Sequence, residues 1–152
     1  MSTKKYIETV KKLEYYCAYR DRCMDEVKQK LNEFDLPASD YDSIIDELKK
    51  EKFIDEKRYA ESFARGKFKI KKWGKHKIKA SLVSKKIEPN LIKSALLLID
   101  EKEYIETLKL LVDKKRKEIN TKDAEQAKLK VARFVLSKGY EHDLVWDIVN
   151  KK

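Results

Sequence analysis

Apolar residues recur at three- and four-residue spacing along almost the whole chain, and that spacing predicts helices. Residues 4–20 read as a first helix, with Ile7, Val10, Leu13 and Tyr16 or Cys17 on one face. A second covers about 24–34 and carries Val27 and Leu31. Leu36-Pro37 makes a turn, Ser39 offers an N-cap with Asp42 three places on, and a third helix follows through Tyr41, Ile44, Ile45 and Leu48. Phe53-Ile54-Asp55 closes that unit.

The pattern then returns. A shift of 51 residues carries Val27, Leu31, Leu36, Tyr41, Ile45 and Leu48 onto Ile78, Leu82, Ile87, Ile92, Leu96 and Ile99. A further 53 carries the first five of these onto Val131, Val135, Tyr140, Val145 and Val149. The same shifts place Asn90 and Asp143 where Ser39 stands, and all three are residue types that cap helix N-termini. Hydrophobic spacing alone is easily matched by chance; a matched turn and a matched cap are harder to obtain. The expectation is an all-α fold of three tandem three-helix repeats, stacked into an elongated, curved molecule. The repeats are 1–55, 56–103 and 104–152. Between Asn90 and Asp100 the third helix of the middle repeat is apolar on nearly every side, so it is expected to be buried on nearly every side.

Composition supports helices and adds little else. Three Gly and two Pro leave few breaks, and 41% apolar residues suffice for a core despite 42% charge. Charge changes the picture. The 37 basic and 27 acidic residues give +10, and the excess sits in residues 62–87, which hold ten Lys or Arg and no acid. With that segment set aside, 27 basic residues face 27 acidic ones. Arg65, Lys67, Lys69, Lys71, Lys72, Lys75, Lys77, Lys79, Lys85 and Lys86 are therefore the candidate binding residues, expected to form one cationic strip for a polyanion. Lys67 and Lys71 stand four apart, as do Lys75 and Lys79. Like charges at that spacing cost a few tenths of a kcal/mol, which an anionic partner would relieve.

Candidate chemistry is sparse. His76 and His142 belong to no metal-ligand spacing, the glycines at 66, 74 and 139 cannot form a phosphate loop, and no carboxylate pair is marked for acid–base work. No catalytic residue, metal ligand or cofactor site is expected, and the protein is read as not an enzyme. Cys17 is expected to pack as a small hydrophobe; Cys23 follows Arg20 and Arg22, which could depress its pKa. Trp73 either plugs the junction of two helices, as favoured here, or stacks on an unpaired base. Phe63 and Ile70 read as core, and Gly74 as the residue that ends the helix before it. No apolar run approaches a membrane span and the first residues hold no signal-type segment, so a cytoplasmic protein is expected.

Three stretches are similar to the RecX family of recombination regulators: Phe53-Ile54-Asp55-Glu56-Lys57-Arg58-Tyr59-Ala60, Gly74-Lys75-His76-Lys77-Ile78 leading to Leu82, and Lys138-Gly139-Tyr140. Departures fall at helix ends. Cys23 stands where the family usually has Ser before a helix, and Asp35 and Lys86 stand where it often has Gly after one. A left-handed Lys86 would cost of order 1 kcal/mol. The resemblance implies a protein that binds the RecA recombinase filament on single-stranded DNA, lies in its helical groove, and restrains its ATPase, extension and strand exchange; a monomer is expected. The alternative is a helical repeat protein that binds DNA without a recombinase partner.

Overall fold

The computed structural model describes residues 3–151. Nine α-helices and no strand occur among them: α1 (Thr3–Tyr19), α2 (Met24–Leu31), α3 (Ser39–Lys50), α4 (Glu56–Lys71), α5 (Lys75–Ser84), α6 (Pro89–Leu97), α7 (Glu101–Glu118), α8 (Ala124–Ser137) and α9 (His142–Val149). The repeated apolar positions face inward: Val27, Ile78 and Val131 are buried, as are Leu31, Leu82 and Val135.

The buried side chains form two cores. Val10, Leu13, Val27, Leu31, Ile44, Ile45 and Leu48 close one among α1, α2 and α3. A larger one runs unbroken from Tyr59 to Val149 through α4–α9. Cys23, just before α2, is a wedge from the first trio into this second core. Polar bonds complete that seam. Asp21 accepts from Arg58 Nε at 2.8 Å and Ser62 Oγ at 2.9 Å, and Glu56 accepts from the Met24 N–H at 3.2 Å.

The helix ends follow local chemistry. Asp55, Asp100 and Asp123 cap α4, α7 and α8 with their carboxylates. Ser39, Asn90 and Asp143 do not cap. Each lies in the first turn, and the N-cap positions belong to Ala38, Glu88 and Glu141, none with a side-chain bond. Pro89 explains the middle case, because proline is pre-organised for the first helical position and starts α6 two residues early. At α3 the backbone turns from Pro37 itself, whose carbonyl accepts from the Asp40 N–H at 2.9 Å.

At the ends of α5 and α8 one closing motif recurs. Ile87 N–H donates to Leu82 O and Tyr140 N–H to Val135 O, with Lys86 (φ 63°) and Gly139 (φ 101°) left-handed between them. Asp35, in the first repeat, is not left-handed, and Leu36 N–H turns instead to Phe34 O.

Three apolar expectations are corrected. Ile7 is 48% exposed, while Thr9 is buried with its hydroxyl bonded to Lys5 O, because the inward face of α1 runs through Val10, Leu13 and Cys17. Ile70 is 78% exposed, since the inward row of α4 is Tyr59, Ala60, Ala64 and Phe68. Helix α6 is not enclosed: Leu97 and Leu98 are 74% and 64% exposed, because α6 packs mainly on α4 and α5 and leaves its far side open. The α7–α9 trio meets the middle trio at another edge, the α4–α5 corner.

Candidate nucleic-acid interface

That corner is built by backbone. Helix α4 ends in left-handed Lys72 (φ 60°), with Trp73 N–H donating to Lys67 O at 3.1 Å, so the turn is complete before Gly74 is reached. Gly74 opens α5 instead. Its N–H donates to Lys138 O at 2.7 Å and the His76 N–H to Gly139 O at 2.9 Å. Tyr140 Oη donates to Lys72 O at 2.9 Å. Tyr104 Oη accepts from the Lys75 N–H and donates to Glu141, and burial together with that carboxylate raises the phenol pKa. Two sequence-distant segments, at Tyr104 and at residues 138–141, are thereby fixed around the loop that presents Trp73.

On this frame the ten basic residues divide by direction instead of forming one strip. Lys67 from α4 and Lys77 from α5 place their ammoniums 5.0 and 4.7 Å from the centroid of the Trp73 ring. Trp73 is half-buried against the core and meets Phe63 edge-on at 6.4 Å, so it plugs the corner while keeping part of its surface open. Lys67 also lines a cleft of about 570 Å³ with Lys85, Phe63, Tyr59 and Arg20. Lys71 and Lys72 are exposed at the end of α4, and the Lys72 ammonium bonds to Lys69 O.

The other cations point elsewhere. Lys69 and Lys75 reach across to Glu103 and Glu101 in the first turn of α7, and Lys86 to Asp25 at 3.6 Å. Lys75 also lies 4.6 Å from the Tyr104 ring. Arg65 stands beside Lys69 near Leu98, and Lys79 faces α6. Pairs this open to water hold about 0–1 kcal/mol each and yield readily to a competing phosphate. The first turn of α5 carries Lys75 and Lys77 and no acid, although the positive end of a helix disfavours cations. An anion at this corner would remove that mismatch.

Arg20 was not among the sequence candidates. It sits between α1 and α2 and joins the cleft only because the first trio folds back against α4; the aromatic-basic run Tyr19-Arg20-Asp21-Arg22 was its one signal. The cleft's acids are already engaged: Asp21 by Arg58 and Ser62, Glu26 by the Cys23 N–H and Arg20. Burial pushes the Glu26 carboxyl up, but those partners outweigh it and hold it below the ordinary carboxylate value. The cleft therefore keeps a charged acid on one wall opposite Lys67 and Lys85.

Neither cysteine is an activated thiol. Burial pushes the Cys17 thiol up to about 11 despite nearby Arg22, and raises that of Cys23, where depression by arginine was expected. His76 and His142 are exposed on different trios, His142 accepting from the Trp146 ring N–H. Among the described residues no group of three potential metal ligands occurs, and no helix is long and apolar enough to cross a membrane.

Comparison with known proteins decides the family. Residues 55–96 match the family model of the RecX second three-helix domain, and residues 101–149 that of the third, in chain order. The chain belongs to the RecX family. The Regulatory protein RecX of Clostridium botulinum (strain Eklund 17B / Type B) is 36% identical over 131 residues, covering 83% of this chain and 59% of that protein. Its counterpart from Lactococcus lactis subsp. lactis (strain IL1403) is 31% identical over 133 residues, covering 86% and 49%. The chain thus spans about half to three-fifths of these curated relatives. The crystal structure of RecX from Lactobacillus salivarius superposes with a TM-score of 0.87 at 26% identity, covering 97% of this chain and 96% of that one. The RecX relatives are named as regulatory proteins, and the RecX fold is the one found here.

Proposed function

We propose that this chain binds the RecA recombinase filament assembled on single-stranded DNA and restrains its ATPase, extension and strand exchange, acting in the cytoplasm as a monomer built of repeats 1–55, 56–103 and 104–152. Family membership supports a regulatory role, and one local observation supports the contact with the filament: the α4–α5 corner, where Lys67 and Lys77 converge on the part-open Trp73 ring. Stacking a base on such a ring contributes ~1–3 kcal/mol, and two ammoniums beside it suit the flanking phosphates. Arg20, Lys67, Lys77 and Lys85 form the centre of this contact, with Lys71 and Lys72 beside it. Arg65, Lys69, Lys75 and Lys86 act at its margins.

Cosedimentation at two salt concentrations tests this reading. The protein is expected to pellet with RecA filaments at a salt concentration where it no longer pellets with naked single-stranded DNA. Equal recovery with filament and naked DNA would favour the DNA-only alternative, and recovery with neither would reject both.

A further inference from the structure

The side of the middle trio where α5 meets α6 carries a feature that the DNA-facing corner does not use. A groove of about 460 Å³ runs between the two helices, lined by Val83, Ile92, Leu96, Pro89, Lys79 and Lys93. Ile92 is buried at its floor, while Val83, at 55% exposure, stands open on its wall. No carboxylate lines it, and neither Lys79 nor Lys93 takes part in an ion pair among the described residues. At one end lies the N-terminus of α6, where the N-cap residue Glu88 makes no side-chain bond to the helix and the first turn holds no acid.

These observations specify an occupant. Aliphatic walls without an aromatic give bases nothing to stack on, whereas they suit Leu, Ile or Val side chains. Two free ammoniums and an uncapped helix terminus then select carboxylates beside those side chains. A second copy of this chain fits poorly, because it brings a net +10 to a basic groove. Helix α6 also has the sequence of a helix covered all round, yet it packs mainly on α4 and α5 and leaves Leu97 74% exposed. We infer that the α5–α6 groove docks an acidic, aliphatic segment of a partner protein, laid along α6 and separate from the nucleic-acid corner.

The test needs no recombinase, so its outcome is independent of the regulatory reading. Uniformly ¹⁵N-labelled protein is titrated with a helical peptide carrying Leu on one face and Glu on the other. Two controls replace Leu by Ser or Glu by Lys. The Leu/Glu peptide is expected to shift the amides of Val83, Ile92, Lys93 and Leu96, and both controls to bind about tenfold more weakly or worse. Val83→Asp should abolish the response, and Lys93→Glu, an exposed charge reversal that leaves the core untouched, should weaken it by a similar factor. Equal binding of the Ser/Glu peptide, or shifts confined to Lys67, Trp73 and Lys77, would overturn the inference. So would sedimentation showing a dimer that Val83→Asp dissociates, which would make the groove a self-association surface.

Discussion

Gly74 and Gly139 meet main chain to main chain, and neither can carry a side chain. A Cβ on Gly74 would stand 2.3 Å from the Gly139 carbonyl carbon, with fixed backbone on both sides. Gly74→Ala should therefore lower stability by about 1–3 kcal/mol, the usual cost of overpacking, and more if the Gly74 N–H bond to Lys138 is lost. Gly66 is the control. It lies mid-helix in α4 with open space around it, so Gly66→Ala should raise stability by about 1 kcal/mol. Urea denaturation of the two variants checks the pair; Gly74→Ala as stable as Gly66→Ala would contradict this account of the junction. Lys86 shows the converse. It holds a left-handed conformation that Gly139 adopts at the equivalent place in the next repeat. Lys86→Gly relieves about 1–2 kcal/mol of backbone strain and returns about 0.5–1 kcal/mol of unfolded-chain freedom, for a net gain of about 0.5–1 kcal/mol in the same denaturation assay. Its ion pair with Asp25 is too exposed to reverse that sign. The thiols make a pH-dependent case. Because burial raises their native pKa above the ordinary value near 9, the unfolded chain ionises first. Their contribution to stability is intact below about pH 9 and is lost as pH rises towards 11. Native protein should consequently resist thiol reagents at pH 8 and label both cysteines in urea; rapid native labelling would contradict the burial.

Between elements, the seam that joins α1–α3 to the rest is mostly polar. Asp21 holds Arg58 and Ser62, Glu56 holds the Met24 N–H, and Cys23 adds an apolar wedge. Removing Asp21 should loosen the seam by about 1 kcal/mol without disturbing either core. Asp21→Ala is accordingly expected to speed amide exchange throughout α1–α3 while α4–α9 keep their protection, and a uniform loss across all nine helices would show the two cores to be one cooperative unit. How these elements could be read from sequence follows the same division. Val27, Leu31, Ile78, Leu82, Val131 and Val135 were legible because each helix carries its own 3.6-residue signal, whatever it packs against. Leu97 and Leu98 were not, since an apolar position tells nothing about which neighbour is present to cover it. Nor were the ion pairs of Lys69 and Lys75 with α7 legible: Glu103 and Glu101 look like solvated acids until the third trio is placed against the α4–α5 corner.

Across the whole molecule, a charge excess confined to one segment becomes a surface with two directions. Lys67 stands between two features, the Trp73 ring that it shares with Lys77 and the cleft that it lines with Phe63, Lys85 and, from the first trio, Arg20. Lys79 and Lys93 face the apolar groove beside α6. Under the proposed function, each surface can be lost without the other. The most direct measurement is RecA's DNA-dependent ATPase, titrated with the wild-type chain and with a variant carrying Arg20→Glu, Lys67→Glu, Lys77→Glu and Lys85→Glu. The account predicts that the wild-type chain suppresses hydrolysis and that the variant, still helical and cooperatively folded, does not. Undiminished suppression by the variant would contradict it.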